Sequence, residues 1–305
     1  MEERISLVSL LSNWYSGATL FSILLNNHSQ LVTNGEAFPT NGMDNRSYIC
    51  SCGKPLLECE FYQQAAFHMI SENATEWQKE LFVQLPCYSN LKLVNSWLTS
   101  VRYLYKLRDI TISTIPRFQI INTDFITAQL RFFLNSMEIE RASYYVDGTK
   151  SVRRAELFAD NKNCDQKIIH LVRDGRGFFA SYKHHKHWSK KNIGYVARAW
   201  LRYINLVDIF SRRHPEIPLL VVRYEDLCHD PEKTMMNVCN FLEIPYQDRL
   251  LGKTIVRHHV LGNRMRNTFN GKIIEDMSWK AILSKEEIDT VTYIMINDLR
   301  RFSYI

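Results

Sequence analysis

The chain has no apolar run of the roughly 18 residues that a membrane span requires, so no membrane association is expected. Its opening stretch, MEERISLVSLL, lacks the positive region and small-residue cleavage site of a secretory signal; a soluble, cytoplasmic protein is expected. Neither sign of charge is in large excess: 38 Lys+Arg stand against 32 Asp+Glu, a net charge of +6. That suits an anionic ligand. A nucleic-acid binder usually shows a clustered basic face, so no nucleic-acid partner is expected. The one local cluster, HHKHWSKK at 184–191, reads as a solvated loop. Linkers rich in Pro, Gly or Ser are missing, as are repeats and low-complexity tracts, and residues 1–305 are read as one domain. Seven cysteines is an odd number, and without a secretory context it argues against a disulfide framework. Three of them crowd into CSCGKPLLEC: Cys50, Cys52 and Cys59. With His68 they could form a metal site, but C-x-C-x6-C is not a usual zinc spacing. A turn carrying small buried thiols is the preferred reading.

What the chain does have is an ordinary globular profile, 46% hydrophobic and 23% charged, in which apolar runs alternate with helical patterns. The runs at 5–11, 143–147, 167–173 and 219–224 are rich in Ile, Val, Leu or Tyr with little polar alternation. Such runs fit strands buried on both faces, as in a parallel sheet. Helices are predicted over 122–140, 193–213 and 230–244, the last capped by Asp230 with Pro231 in its first turn. Strands alternating with helices predict an α/β fold with a parallel sheet flanked by helices. Residues from about 40 to 140 break the rhythm and are read as a helical insertion between the first and second strands.

In an open parallel sheet, ligands sit beyond the C-terminal ends of the strands. After the first predicted strand come Tyr15, Ser16, Gly17, Ala18, Thr19 and Leu20, a polar turn opening a helix. Strand, turn, helix is how a chain builds an anion-holding loop, because backbone N–H groups converge at the positive end of the helix. The stretch LSNWYSGATL has one Gly and no Lys, however, and is not the nucleotide loop G-x-x-x-x-G-K-[ST]. After the second strand comes DGTKSVRR, with Asp147 and Lys150; after the third, RDGRGFFAS, with Arg173 and, eight residues on, Ser181; after the fourth, YEDL, with Tyr224. Two anionic groups can be held on such an edge, one by the first loop and one by Arg173 with Ser181. Taken alone, Arg173 could equally form an ion pair with Asp174.

These segments, in this order, resemble the 3′-phosphoadenosine-5′-phosphosulfate (PAPS)-dependent sulfotransferases. NWYSGATLF resembles the 5′-phosphosulfate loop of that family, and NGEAF the G-E of its carbohydrate, tyrosyl-protein and bacterial members. VDGTKS resembles the second-strand Lys segment, and IIHLVRDGRGFFASY the 3′-phosphate element. VVRYEDLCHDPEKTMMNVCNFLEIPY matches the fourth-strand region, while LGNRMR, SWK and LRRFSYI resemble the C-terminal segment. The resemblance implies a P-loop nucleotide-kinase-like fold and a donor site for PAPS (product adenosine 3′,5′-bisphosphate). That site is formed by residues 15–20, Arg173, Ser181, Tyr224 and the segment Gly262, Asn263, Arg264 and Arg266, with Arg266 favoured over Arg264 for the 3′-phosphate.

One position departs from the family pattern. Where the first loop usually carries Lys or Arg, this chain has Tyr15. Lys150 is the expected replacement, and Glu36 the expected general base for the acceptor. His28 and His170 are weaker candidates, His170 reading as a packed histidine in an apolar strand, and Asp147 as a residue that orients Lys150. The reading is transfer of a sulfuryl group to a hydroxyl or amine of a small-molecule acceptor, such as a secondary metabolite or carbohydrate, with no metal required. The alternatives are a non-catalytic nucleotide-binding member of the same fold, or a nucleotide-dependent kinase, against which the missing Walker Lys counts. Oligomeric state is left open.

Overall fold

The central strand, β1 (Ile5–Ser12), is hydrophobic on both faces because both are covered. In a computed structural model, residues 4–36, 48–66, 83–100, 104–184, 193–252 and 259–305 are described. β1 leads into α1 (Ala18–Asn26), every residue of which is buried, and then into β2 (Leu31–Val32). Next come α2 (Glu60–Ala66), α3 (Lys92–Leu98), α4 (Tyr105–Thr114) and the long α5 (Pro116–Glu140). β3 (Tyr144–Asp147), α6 (Val152–Ala159), β4 (Cys164–Val172), α7 (Gly175–His184) and α8 (Ile193–Arg213) follow. The chain continues through β5 (Leu219–Arg223), α9 (Tyr224–His229) and α10 (Pro231–Leu242) to α11 (Met265–Thr268), α12 (Trp279–Ile282) and α13 (Lys285–Arg301).

The five strands are parallel, in the order β2-β3-β1-β4-β5. β1 therefore lies where the chain first winds to one side, toward β3 and β2, and then to the other, toward β4 and β5. The crevice outside its C-terminal end is the switch point at which open α/β sheets bind ligands. The register brings the strand ends into line: Ser9 is opposite Asp147, Ser12 opposite Leu171, and Val172 opposite Arg223.

Alternate residues of each strand enter different cores. Val8, Leu10, Ile169 and Leu171 pack with Phe21 and Leu24 of α1 and Met235 and Val238 of α10. On the other face, Leu11 and Ile168 pack with Val207 and Phe210 of α8, and Leu7 joins the α2–α5 cluster of Tyr62, Phe132 and Phe133.

Two expectations are corrected. β2 was not anticipated, so the helical stretch lies between the second and third strands; two residues, Leu31 and Val32, are too few to show as an apolar run. Residue 224 opens α9 instead of ending a strand. Of the 184–191 cluster, all but His184 lies outside the described residues, as does His68.

Candidate functional site

The loop after β1 turns sharply: Tyr15 has φ 60° and Gly17, the N-cap of α1, φ 83°. Gly17 is required on steric grounds too, since a Cβ there would lie 2.4 Å from the Tyr224 ring. No side chain caps α1 and its first turn holds no acidic residue, so the first-turn N–H groups stay available to an anion. The Ser16 hydroxyl points into this turn's surroundings fully buried and without a hydrogen-bond partner among the described residues. Burying a hydroxyl unpaired costs free energy, and an anion at the α1 N-terminus is a chemically suitable acceptor for it. Ala18, Thr19 and Leu20, the first three residues of α1, are buried.

Arg173 follows β4, and only 6% of it is exposed. Its fork donates from Nη1 to the Tyr15 carbonyl (2.7 Å) and from Nη2 to the Asp276 carboxylate Oδ2 (2.9 Å) and carbonyl (3.1 Å). The guanidinium lies 4.9 Å from the Tyr224 ring centroid, and the Trp200 indole N–H donates to the Arg173 carbonyl (3.1 Å). Arg173, Tyr15, Gly17 and Tyr224 are thus one assembly. The Asp174 pairing does not form: Asp174 instead binds Arg176, with Nη2 to Oδ2 at 2.6 Å. The eight-residue Arg–Ser spacing has a geometric basis. A Cβ on Gly177 would lie 3.0 Å from the Arg173 Nε, so this face of α7 abuts the guanidinium. Ser181, half-buried, is one helical turn farther along the same face.

Asp276, unanticipated, is the group that currently neutralises Arg173. Burial raises its carboxyl pKa, but hydrogen bonds from Ser278 and Arg173 outweigh this and hold it below the usual range. Its backbone N–H donates to the Tyr224 hydroxyl (3.2 Å), which in turn donates to the Ile274 carbonyl (3.3 Å).

Lys150 and Glu36 meet: Lys150 Nζ is 2.5 Å from Glu36 Oε1. Their side chains are 11% and 29% exposed, so the pair is sheltered but reachable. Asp147 shapes the turn that presents Lys150. Its Oδ1 accepts from the Thr149 N–H (3.0 Å) and hydroxyl, and its Oδ2 accepts from Arg154 Nε (2.6 Å). The Tyr203 hydroxyl donates to the Lys150 carbonyl (2.7 Å), steadying a residue with φ 64°. Glu36 is set by the pairing of Gly35 with Leu261, in which Leu261 N–H donates to the Asn34 carbonyl (2.8 Å).

The C-terminal segment closes one side of this arrangement. A Cβ on Gly262 (φ 141°) would lie 3.0 Å from Thr19 Oγ1 and 3.8 Å from Glu36 Oε1, so the α1 turn and the Glu36–Lys150 pair face a common point. The Tyr48 hydroxyl donates to the Gly262 carbonyl (2.9 Å) and accepts from its N–H (3.0 Å). Arg266 donates to the carbonyls of Gly262 (2.7 Å), Asn263 (3.0 Å) and Ile49 (2.9 Å) and stacks on Tyr48. Its Nη groups thus bond to backbone, while its Nε is buried without a hydrogen-bond partner among the described residues; Arg264 is exposed. Asn263 Oδ1 accepts from the Met265 N–H (2.9 Å).

Behind Glu36 lies a narrow cleft with room for about one water molecule (about 10 Å³), lined by Tyr62, Phe132, Phe133, Tyr145 and the Arg154–Asp147 pair. The two histidine candidates are structural. His28 is buried, its Nδ1 accepting from the Gln30 N–H (3.1 Å) and its Nε2 facing the Pro245 carbonyl (2.7 Å). His170 is packed within β4, and burial pushes its pKa down to about 4. Cys50, Cys52, Cys59 and His259 form a further polar cluster with their ligand atoms within 4.8 Å of one another.

Among known proteins, residues 164–248 match the model of the "Sulfotransferase family"; that stretch carries Arg173, Ser181 and Tyr224. No curated protein matches. Among solved structures, the chain is similar to the sulfotransferase domain from the curacin biosynthetic pathway (17% identity, 95% of this chain and 97% of that one covered, TM-score 0.50). It is also similar to the sulfotransferase domain from the Synechococcus PCC 7002 olefin synthase (17%, 96% and 95%, TM-score 0.49). A third structure is retinol dehydratase in a complex with retinol and PAP (14%, 97% and 82%, TM-score 0.41). No helix among the described residues is long and apolar enough to cross a membrane.

Proposed function

We infer that this chain, which matches the sulfotransferase family model over residues 164–248 and shares the fold of a sulfotransferase domain, moves a sulfuryl group from PAPS to a hydroxyl or amine of a small-molecule acceptor. The observation that carries the reading is the convergence of Glu36, Lys150 and the α1 N-terminus around Gly262. Bound there, PAPS would supply an activated sulfuryl group with a good leaving group. The residues present fit its anionic ends. The α1 turn offers N–H groups and the unpaired Ser16 hydroxyl to the 5′-phosphosulfate, and Arg173 with Ser181 offers donors to the 3′-phosphate.

Glu36 has the position and exposure to take the acceptor's proton. Lys150, held against it, supplies the positive charge that Tyr15 cannot, and stabilises negative charge developing during transfer. As the proton moves to Glu36 the ion pair weakens, freeing the ammonium to follow that charge. Tyr62, Phe132, Phe133 and Tyr145 form an aromatic wall behind Glu36, whose cleft as it stands has room for no more than about one water. The donor chemistry itself calls for no metal, since Lys150 and backbone N–H groups supply the field.

Two measurements test this. Adenosine 3′,5′-bisphosphate should bind at least about tenfold more tightly than AMP, the scale of one charge-assisted phosphate contact; equal affinities would refute the donor assignment. Transfer of labelled sulfate from PAPS across a panel of phenols, alcohols, amines and sugars should then identify acceptors. Tight bisphosphate binding with no transfer to any acceptor would favour a non-catalytic role.

A further inference from the structure

Three cysteines of the CSCGKPLLEC stretch converge with a histidine 200 positions later in the chain. Cys59 Sγ lies 3.0 Å from His259 Nδ1, Cys50 Sγ 3.5 Å from the same nitrogen, and Cys52 Sγ 3.7 Å from Cys59 Sγ. A tetrahedral zinc ion has bonds of about 2.3 Å to sulfur and about 2.0–2.1 Å to nitrogen. From those bonds the ligand–ligand edges are about 3.8 Å for two sulfurs and about 3.5 Å for sulfur and nitrogen. Two of the three distances match these edges, and the third needs a shift of about half an ångström. We propose that Cys50, Cys52, Cys59 and His259 bind one zinc ion and so fasten the 50–59 loop to the segment that walls the candidate site.

The surrounding structure is built to present these four ligands. Cys50 to Gly53 is a tight turn, the Gly53 N–H donating to the Cys50 carbonyl (2.9 Å) and the Cys50 N–H to the Lys54 carbonyl (2.9 Å). Gly53 takes φ 87°, a conformation that favours glycine. The turn brings Cys50 and Cys52 side by side, and Cys59 follows one short helical turn later, immediately before α2. His259 is held as firmly. Its N–H donates to Ser51 Oγ (2.8 Å), its carbonyl accepts from the Tyr62 hydroxyl (2.6 Å), and its ring stacks on Phe61 at 4.5 Å with a 9° interplanar angle. Ser51, between two of the ligands, therefore positions the backbone of a third. His259 itself has φ 90°, an uncommon backbone state for a residue with a side chain.

Four protein ligands close the coordination sphere, which marks a structural site and not a catalytic one. On binding, each thiol gives its proton to solvent, up to three in all, and the imidazole coordinates in its neutral form. The consequence reaches the active-site wall. Two residues beyond His259, Leu261 pairs with Asn34–Glu36, and Gly262 sits against Thr19 and Glu36. The metal would anchor the first residue of that wall without touching the reacting groups. This inference does not depend on the sulfuryl-transfer reading, and its test uses metal binding alone.

The full chain is purified under reducing conditions and its zinc content measured, then cobalt(II) is exchanged in and its absorption recorded. One zinc per chain, and the visible bands of tetrahedral cobalt with thiolate ligands, are expected; X-ray absorption should return three sulfurs and one nitrogen. Cys52→Ser, at an exposed position, should lower zinc affinity by at least about tenfold, the least that loss of a ligand's supporting shell costs. His259→Ala should do the same, whereas Cys87→Ser, outside the cluster, should bind as the parent does. If His259→Ala does not fold, Cys52→Ser carries the test. A reduced, folded chain that takes up neither zinc nor cobalt overturns the proposal. So does a native mass showing a Cys52–Cys59 disulfide, or a Cys52→Ser chain with undiminished affinity.

Discussion

The contact between Arg173 and Asp276 leads to a quantitative prediction. Arg173 is the proposed grip for a 3′-phosphate, yet two of its donor contacts go to Asp276, one of them to the carboxylate at 2.9 Å. A phosphate can take the fork only if that carboxylate gives way. The Asp276 side chain is 45% exposed, so the ion pair is screened and is worth about 0.5–1 kcal/mol, the range for accessible pairs. Asp276→Asn keeps the backbone N–H to Tyr224 and an oxygen for Ser278 while removing the charge. It should therefore tighten binding of adenosine 3′,5′-bisphosphate about two- to fivefold from the pair alone, and further if the carboxylate also repels the phosphate.

The assay is titration calorimetry at a fixed ionic strength near 0.15 M, because both effects are screened by salt. AMP, lacking the 3′-phosphate, should gain little. Arg173→Ala should weaken bisphosphate binding about tenfold to a hundredfold, the cost of about 1.5–3 kcal/mol for a charge-assisted contact. In that background the Asp276→Asn gain should shrink, a non-additivity expected only of groups that share a partner. Unchanged or weaker bisphosphate binding by Asp276→Asn would refute the competition, and an equal gain for AMP would show that the effect does not involve the 3′-phosphate.

Three further outcomes are expected. Glu36→Gln should lower turnover by about 10²–10⁴ while leaving bisphosphate affinity nearly unchanged; wild-type turnover, with chemistry shown to be rate-limiting, would remove Glu36 as the base. Lys150→Ala should lower turnover about 10²–10³, and Tyr15→Lys should partly restore it; a loss below about threefold would reduce Lys150 to a structural partner of Glu36. His170 makes stability acid-sensitive: its folded pKa of about 4 lies below the unfolded value, so its contribution is full above about pH 6.5 and is lost as pH falls from there toward 4, by up to about 3 kcal/mol. Denaturant unfolding across that window should show a flatter pH dependence for His170→Leu than for the parent.

Much of the scaffold was readable because buried parallel strands and amphipathic helices carry strong local signals. The helix predicted over 193–213 is α8 with those bounds, and Asp230 caps α10, its side chain accepting from the Lys233 N–H. Errors fell where local signals compete or are short. α5 begins at Pro116, not at 122, because proline suits a helix's first turn and Asn122 and Asp124 lie inside the helix instead of capping it. β4 begins at Cys164, three residues before its apolar run, because Cys164–Gln166 pair with Ile5–Leu7 of β1. β2 exists only through its two pairs with Tyr144 and Tyr145 of β3. Which loops meet at the switch point was readable, since a parallel sheet brings its strand ends to one edge. That Lys150 would pair with Glu36, 114 positions away, follows from no spacing in the sequence.

Both unanticipated partners come from the same part of the chain, and each completes a group that is incomplete when read by itself. Three clustered cysteines lack a fourth ligand, and His259 supplies it from 200 positions away. A buried arginine at a strand end cannot remain without acceptors, and Asp276 supplies one from 103 positions away. In each case the chemistry of the visible members specifies the missing one, a nitrogen or sulfur donor in the first and an anion in the second, while its position is set by tertiary packing alone. Between His259 and Asp276 lies Gly262, against Thr19 and Glu36. The stretch from 259 to 276 thus touches the cysteine loop, the α1 turn with Glu36, and Arg173 in succession. It is also held along its length, because Gly262 and Arg266 bond to and stack on the Tyr48–Ile49 segment, and Phe269 and Ile273 pack on the α1–α10 core. Loosening the cysteine-loop contact, at His259, should therefore be felt at Glu36 before it is felt at Arg173, because Leu261 and Gly262 follow His259 by two and three residues and Asp276 by seventeen.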